Sequence, residues 1–235
     1  MKNKIKIFIV LFICLNVCLA NEPNNPTQVR NIIEKLNQAA ANLKNLTAEV
    51  EYLHAQSLFD TQTLRTGELF YTKDANFCAL RINFLTLKQD ESQQQNYRED
   101  YIFDGMKLTK IDYQGKSALT EQYAREKTIE PFELVQDYFP IIGLSKPDEM
   151  AEQFDITADG NTLLLTPKEN SKFFKTYKQV KLTVNSENYL PSNFWASTCD
   201  SEEITIKLSK IENSKAVDKN VFEVKIPADF VQTQK

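Results

Sequence analysis

The sequence runs to 235 residues, with 28 basic and 32 acidic side chains, one histidine and a net charge of −4, a balance that disfavours a nucleic-acid surface. Five glycines leave little material for phosphate-cradling loops, and the GxGxxG, P-loop, GxSxG and HExxH patterns are absent. His54 stands alone on an alternating segment with no partner motif, so no catalytic set, metal site or cofactor is expected.

Taken in chain order, residues 1–20 open with Lys2, Lys4 and Lys6, continue as an unbroken apolar run from Ile7 to Leu15, and close on the small residues Cys18 and Ala20. That pattern predicts a secretory signal peptide cleaved after Ala20, because the apolar run is shorter than the roughly 18–20 residues that span a bilayer. Leu15-Asn16-Val17-Cys18 has a second reading as a lipoprotein site acylated at Cys18, although Val17 is bulkier than such a site prefers. Removing three lysines and no acid takes residues 21–235, expected to form one domain, to a net charge of −7.

Val29, Ile32, Ile33, Leu36, Ala39, Ala40, Leu43 and Leu46 recur at three- and four-residue steps and predict an amphipathic helix capped by Thr27. At Leu46 the period changes from 3.6 to 2: Thr47–Ala55 alternates, and so do Gly67–Thr72, Cys78–Leu85, Tyr97–Phe103, Met106–Tyr113 and Gln122–Arg125. The polar run Gln89–Asp100 reads as an exposed loop, and the adjacent acids Glu99-Asp100 and Glu202-Glu203 as solvated. Pro131 opens a very apolar helical segment containing Phe132, Val135, Phe139 and Ile142, followed by a short helix over Pro147–Phe154. Alternation then returns in Asp155–Ala158, Leu163–Pro167, Tyr177–Val184, Tyr189–Trp195, Glu203–Ile211 and Phe222–Ile226.

Sequential hairpins with a few apolar helices predict an α+β fold, mainly β: a long antiparallel sheet curled into a half-open barrel, with helices inside it or across its mouth. Fifteen Phe, nine Tyr and one Trp fit either an ordinary core or the lining of a cavity. Cys78 and Cys199 sit in strand-like surroundings and fit either a disulfide or two buried thiols.

Several stretches, in this order, carry a family resemblance: Leu43–Val50, Gly67–Tyr71, Tyr101–Leu108, Leu163–Pro167, Leu190-Pro191 and Val221–Pro227. Following a signal peptide, they resemble the periplasmic outer-membrane lipoprotein carriers, the LolA/LolB-like superfamily that includes outer-membrane lipoprotein-sorting proteins. The resemblance implies a periplasmic monomer that shelters the acyl chains of a lipoprotein or related lipid in an apolar cavity without covalent chemistry. Its partners would be an inner-membrane release complex and an outer-membrane receptor. The lining it assigns is Val50, Tyr52, Phe70, Phe84, Phe103 and Trp195, with Phe132, Val135, Phe139 and Ile142 on a lid. Carriers of this type commonly latch that lid with an arginine; here Lys73 is the nearest match, which keeps charge without the planar fork. The alternative within the same fold is an envelope sensor or a receptor anchored through Cys18.

Overall fold

The structure is a computed structural model that describes residues 26–75, 77–124, 129 and 147–235. The proposed signal segment, Cys18, and the lid residues Phe132, Val135, Phe139 and Ile142 lie outside the described residues.

Helix α1 spans Pro26–Asn42. Its apolar stripe buries Ile32, Ile33 and Leu36, the last completely, which contributes about 6 kcal/mol at roughly 2 kcal/mol per buried side chain. Proline at the first helical position needs no intrahelical N–H bond there, so the helix starts one residue before the expected cap. It also ends earlier than the stripe suggested, because Leu43 and Leu46 already belong to the turn and the first strand.

The strands are β1 (Asn45–Gln56), β2 (Thr61–Lys73), β3 (Cys78–Gln89), β4 (Gln95–Phe103), β5 (Lys107–Asp112) and β6 (Ser117–Gln122), then, after helix α2 (Pro147–Gln153), β7 (Phe154–Asp159), β8 (Thr162–Pro167), β9 (Tyr177–Val184), β10 (Pro191–Thr198), β11 (Glu202–Glu212) and β12 (Val231–Gln234). They form one 12-stranded sheet in the order β12-β6-β5-β4-β3-β2-β1-β11-β10-β9-β8-β7. Pairing is antiparallel throughout except for β12, which lies parallel to β6. The sheet does not close on itself, as expected of a half-open barrel, since β12 and β7 are its two free edges.

Register fixes which side chains share a face. Val50 lies opposite Gly67, Gly67 opposite Phe84 and Phe84 opposite Glu99; on the other side Tyr52 lies opposite Ile206, and Ile206 opposite Phe194. This is the inner face, and α1 packs on it to build the main core. Gly67 sits at an irregularity in the β2–β3 ladder, where an added Cβ would come within 1.9 Å of the Asn83 carbonyl oxygen. Only glycine lets the backbones approach there, and the sheet bends at that point.

The outer face carries a second cluster, Ile102, Ile111 and Ala118, covered by Ile226 and Phe230. The C-terminal segment that covers it is not the strand expected over Phe222–Ile226. A single 3-10 turn, Lys219–Phe222, is capped by Asp218, and Phe222 is buried edge-on to Phe77. Sheet neighbours are already paired here, so the segment crosses the strands instead of joining them. Arg81 ties it down, donating to the Val221 carbonyl oxygen at 2.7 Å and to Asp100 Oδ2 at 2.8 Å.

Candidate functional site

The inner face changes character along β1. Leu46, Ala48 and Val50 are 5%, 6% and 1% exposed, whereas Tyr52, His54 and Gln56, further along the same side of the same strand, remain partly accessible. The neighbouring strands agree: inward-facing Arg65 on β2 and Glu202 on β11 keep 29% and 34% of their side-chain surface exposed. The inner face is therefore packed at Leu46, Ala48 and Val50 and open to solvent around Tyr52, His54 and Gln56.

Val50, Tyr52, Phe84 and Phe103 all face inward, as their ladder partners show. Val50, Phe84 and Phe103 are fully packed, while Tyr52 borders the accessible part and lies 6.1 Å, ring to ring, from Phe84. Two expected lining residues do not join them. Phe70 pairs with Thr47 and Trp195 with Thr205, each one position out of phase with the inward set, so both lie on the outer face. Trp195 there takes the Lys181 ammonium 4.6 Å over its ring and donates to Glu203. Lys73 ends β2 beside the turn after α1, its N–H donating to the Lys44 carbonyl oxygen at 2.7 Å. Cys78, at the start of β3, is buried, and Cys199, in the turn after β10, is exposed; β2, β1 and β11 lie between those two strands, so the disulfide alternative is corrected, and of the two thiols only Cys78 is buried.

Glu99 and Asp100 are not solvated: each is 1% exposed. Being adjacent on β4, they point to opposite faces. Asp100 lies under the C-terminal segment, bound by Arg81, Arg98 and the Tyr113 hydroxyl. Glu99 is the inner-face member. Its Oε1 is ion-paired with Lys110 Nζ at 2.6 Å and accepts from the Tyr101 hydroxyl at 3.2 Å, and its Oε2 is ion-paired with Arg65 Nη1 at 3.2 Å and accepts from the Tyr97 hydroxyl at 3.2 Å. The Arg65 guanidinium lies over the Phe84 and Tyr97 rings, 5.8 and 5.6 Å from their centroids. Further along, Glu202 accepts from Gln56 at 2.9 Å and meets His54 Nε2 at 3.0 Å, and these two bonds hold its carboxyl below the usual range.

Burial, and then the Glu99 charge, push the Tyr97 hydroxyl up to about 12 and raise Tyr101; Tyr52 is raised mainly by burial. For Lys110 burial acts against the charge, but hydrogen bonding to Glu99 and its charge prevail and raise it. All four groups therefore hold their protons more tightly folded than unfolded. That contribution is complete below pH 10.0, the ordinary tyrosine value, and is lost as pH climbs toward about 12. Urea-unfolding midpoints measured across this window should fall steadily, and Tyr97→Phe should make the fall shallower; a flat profile would contradict the cluster's coupling to folding.

Two cavities are formed by the described residues. One of about 710 Å³ lies between α1 and β7, lined by Val29, Ile33, Phe154 and Ile156, with Arg30, Glu34, Asp155 and Lys168 at its rim. The other, about 290 Å³, lies on the outer face around Leu53 and Leu64. Neither is lined by the residues expected from sequence. Among the described residues no group of three or more His, Cys, Asp or Glu is placed to hold a metal ion, and no helix is long and apolar enough to cross a membrane.

An unclosed antiparallel sheet with a helix on its inner face, packed along one part of that face and accessible along another, defines a half-barrel fold. The family described as outer membrane lipoprotein carrier protein LolA matches residues 92–225. That is more than half of the sequence, and the chain belongs to this family, whose fold serves lipid and lipoprotein binding. No curated protein sequence matches it. Solved structures share the fold at low identity. An uncharacterized conserved protein from Thermus thermophilus is 9% identical with a TM-score of 0.51, over 88% of this chain and 99% of that one. MucB is 10% identical with a TM-score of 0.53, over 88% of this chain and 66% of that one. In the Pseudomonas aeruginosa MucA/MucB complex the values are 12% and 0.48, over 86% and 62%. The chain thus spans slightly less than two thirds of MucB.

Proposed function

We propose that the protein is a periplasmic carrier that receives the acyl chains of a lipoprotein or a related lipid in the hollow of the inner face and moves them toward the outer membrane. The supporting observation is the change along β1 from packed Leu46, Ala48 and Val50 to accessible Tyr52, His54 and Gln56 on one face. A fully packed half-barrel has no use for solvent-reached interior positions. An acyl chain of about 16 carbons costs roughly 12 kcal/mol to leave in water at about 0.8 kcal/mol per CH₂, so a partly apolar hollow that offsets most of this, yet has polar walls for release, suits a carrier better than a permanent store. Carriage requires no covalent step. Mass spectrometry of the protein purified under native conditions, together with titration of a fluorescent fatty acid and an acylated peptide, tests the reading. Co-purified lipid or saturable binding of either probe is expected; absence of all three overturns it.

A further inference from the structure

We propose that the free edge of β7 is a docking site for an extended segment of a partner protein, one in which apolar side chains alternate with lysine or arginine, added to the sheet beside β7. The site is separate from the accessible stretch around Tyr52 and does not depend on the carrier reading.

Strand β7 ends the sheet, so one side of its backbone has no neighbouring strand. Which groups point there follows from its pairing with β8. The Lys168 N–H donates to the Gln153 carbonyl oxygen at 2.9 Å, and Phe154 lies opposite Pro167, which has no N–H to give. Bonded and non-bonded pairs alternate along an antiparallel ladder. Ile156 and Ala158, opposite Leu165 and Leu163, are in phase with Phe154 and therefore turn N–H and C=O toward the open edge. Among the described residues none of these four groups has a hydrogen-bond partner. Edges are commonly blunted by proline, lysine or a bulge; β7 contains neither residue, and its ladder runs without a register shift.

The cavity of about 710 Å³ lies against this edge. It touches Phe154, Asp155 and Ile156 in succession, and because neighbouring strand residues point to opposite faces, a space that meets all three runs beside the strand instead of over one face. Val29 and Ile33 of α1 form its far wall. Backbone donors and acceptors at two-residue spacing, next to an apolar space, are what strand addition uses: main-chain bonds supply affinity, and alternate side chains of the incoming strand enter the space. Here those side chains would lie between Ile156 and Ile33.

Charge selects the strand. On the outer side its side chains would meet Asp155, 76% exposed, and Asp159, also exposed. Against these two acids stands the ammonium of Lys168, which donates to the Ala151 carbonyl oxygen at 2.6 Å and lies 3.9 Å from Asp155. On the helix side Arg30 is paired with Glu34 at 2.7 Å. Basic side chains opposite the two aspartates form favourable cross-strand pairs. A second copy of this chain is disfavoured, since pairing β7 with itself through the same backbone groups collects four aspartates on one face.

Fluorescence anisotropy on the full chain, with two labelled hexapeptides as probes, tests the proposal: one alternates valine and lysine, the other valine and glutamate. The valine–lysine peptide should bind about tenfold or more tightly than its acidic counterpart, and Asp155→Lys with Asp159→Lys, both at exposed positions, should reverse the preference. N-methylation of the alternate amides along one edge of the valine–lysine peptide should weaken binding about tenfold or more, and along the other edge by less than about twofold. Ile156→Pro, tolerated where a strand N–H faces away from the ladder, should weaken it likewise. If neither peptide binds, the docking site is overturned. If the two methylated peptides bind alike, strand addition is overturned; if the two charge patterns bind alike, or the double variant keeps the wild-type preference, the basic partner is. Dimerisation of the free chain in sedimentation, lost in Ile156→Pro, would give the edge to a second copy and overturn the proposal.

Discussion

Glu99→Leu should destabilise the protein by about 3–5 kcal/mol, the range for breaking a buried ion pair from one side, lowering the melting temperature by roughly 10 °C for a chain of this size. The substitution leaves Arg65 and Lys110 facing each other across the inner face and takes the acceptor from two tyrosine hydroxyls. Lys110 keeps 42% of its side chain exposed and can turn to water, which places the expectation toward the lower end of that range. Adding Arg65→Met should restore most of the loss, because a neutral pair of similar volume leaves no buried uncompensated charge once Lys110 has turned to water. Urea unfolding of the two variants measures the difference. A loss below about 1 kcal/mol for Glu99→Leu would mean that water enters the cluster freely and that Glu99 does not order this wall.

Glu99 shows what local pattern can and cannot carry. The run from Gln89 to Asp100 is polar almost throughout, which is why a loop is expected, yet β3 continues to Gln89 and β4 begins at Gln95. A legible signal was present one step further along: Tyr97, Glu99, Tyr101 and Phe103 alternate, and an acid inside an aromatic stripe of period 2 must be buried and paired. The partner positions, Arg65 and Lys110, are set by the β2–β3 bend at Gly67 and the β4–β5 register, which no short window contains.

Phe70 and Trp195 lie on the outer face for a related reason. Alternation assigns side chains to two faces without saying which face is inner. In β2 both phases carry apolar residues, Leu69 and Tyr71 against Phe70, and in β10 Trp195 stands between buried Phe194 and Ala196. The choice is made by the pairing of β1 with β11, a contact between distant segments that joins the two halves of the sheet. By contrast the helix α1, the switch to strand after it, and the antiparallel order of hairpins were all legible, because each follows from spacing within a dozen residues.

That division of faces carries the second large effect, on ligand binding. Ile204 faces inward, opposite His54 on β1 and Ala196 on β10, and is only partly buried, so a polar replacement there meets the hollow without emptying the core. Ile204→Asp should weaken binding of a fluorescent fatty acid about 100-fold, since a chain laid against that position must either desolvate a carboxylate or withdraw several CH₂ groups, each route costing on the order of 3 kcal/mol. Stability should change by less than about 1–2 kcal/mol. Trp195→Ser serves as the counterpart: it removes a larger apolar group one ladder step away, on the outer face, and binding should stay within about twofold of wild type. Displacement titrations on both variants, read beside their unfolding curves, decide the matter. If Trp195→Ser abolishes binding while Ile204→Asp leaves it intact, the ligand lies against the outer face, and the change from packed to accessible positions along β1 marks imperfect packing instead of a binding hollow.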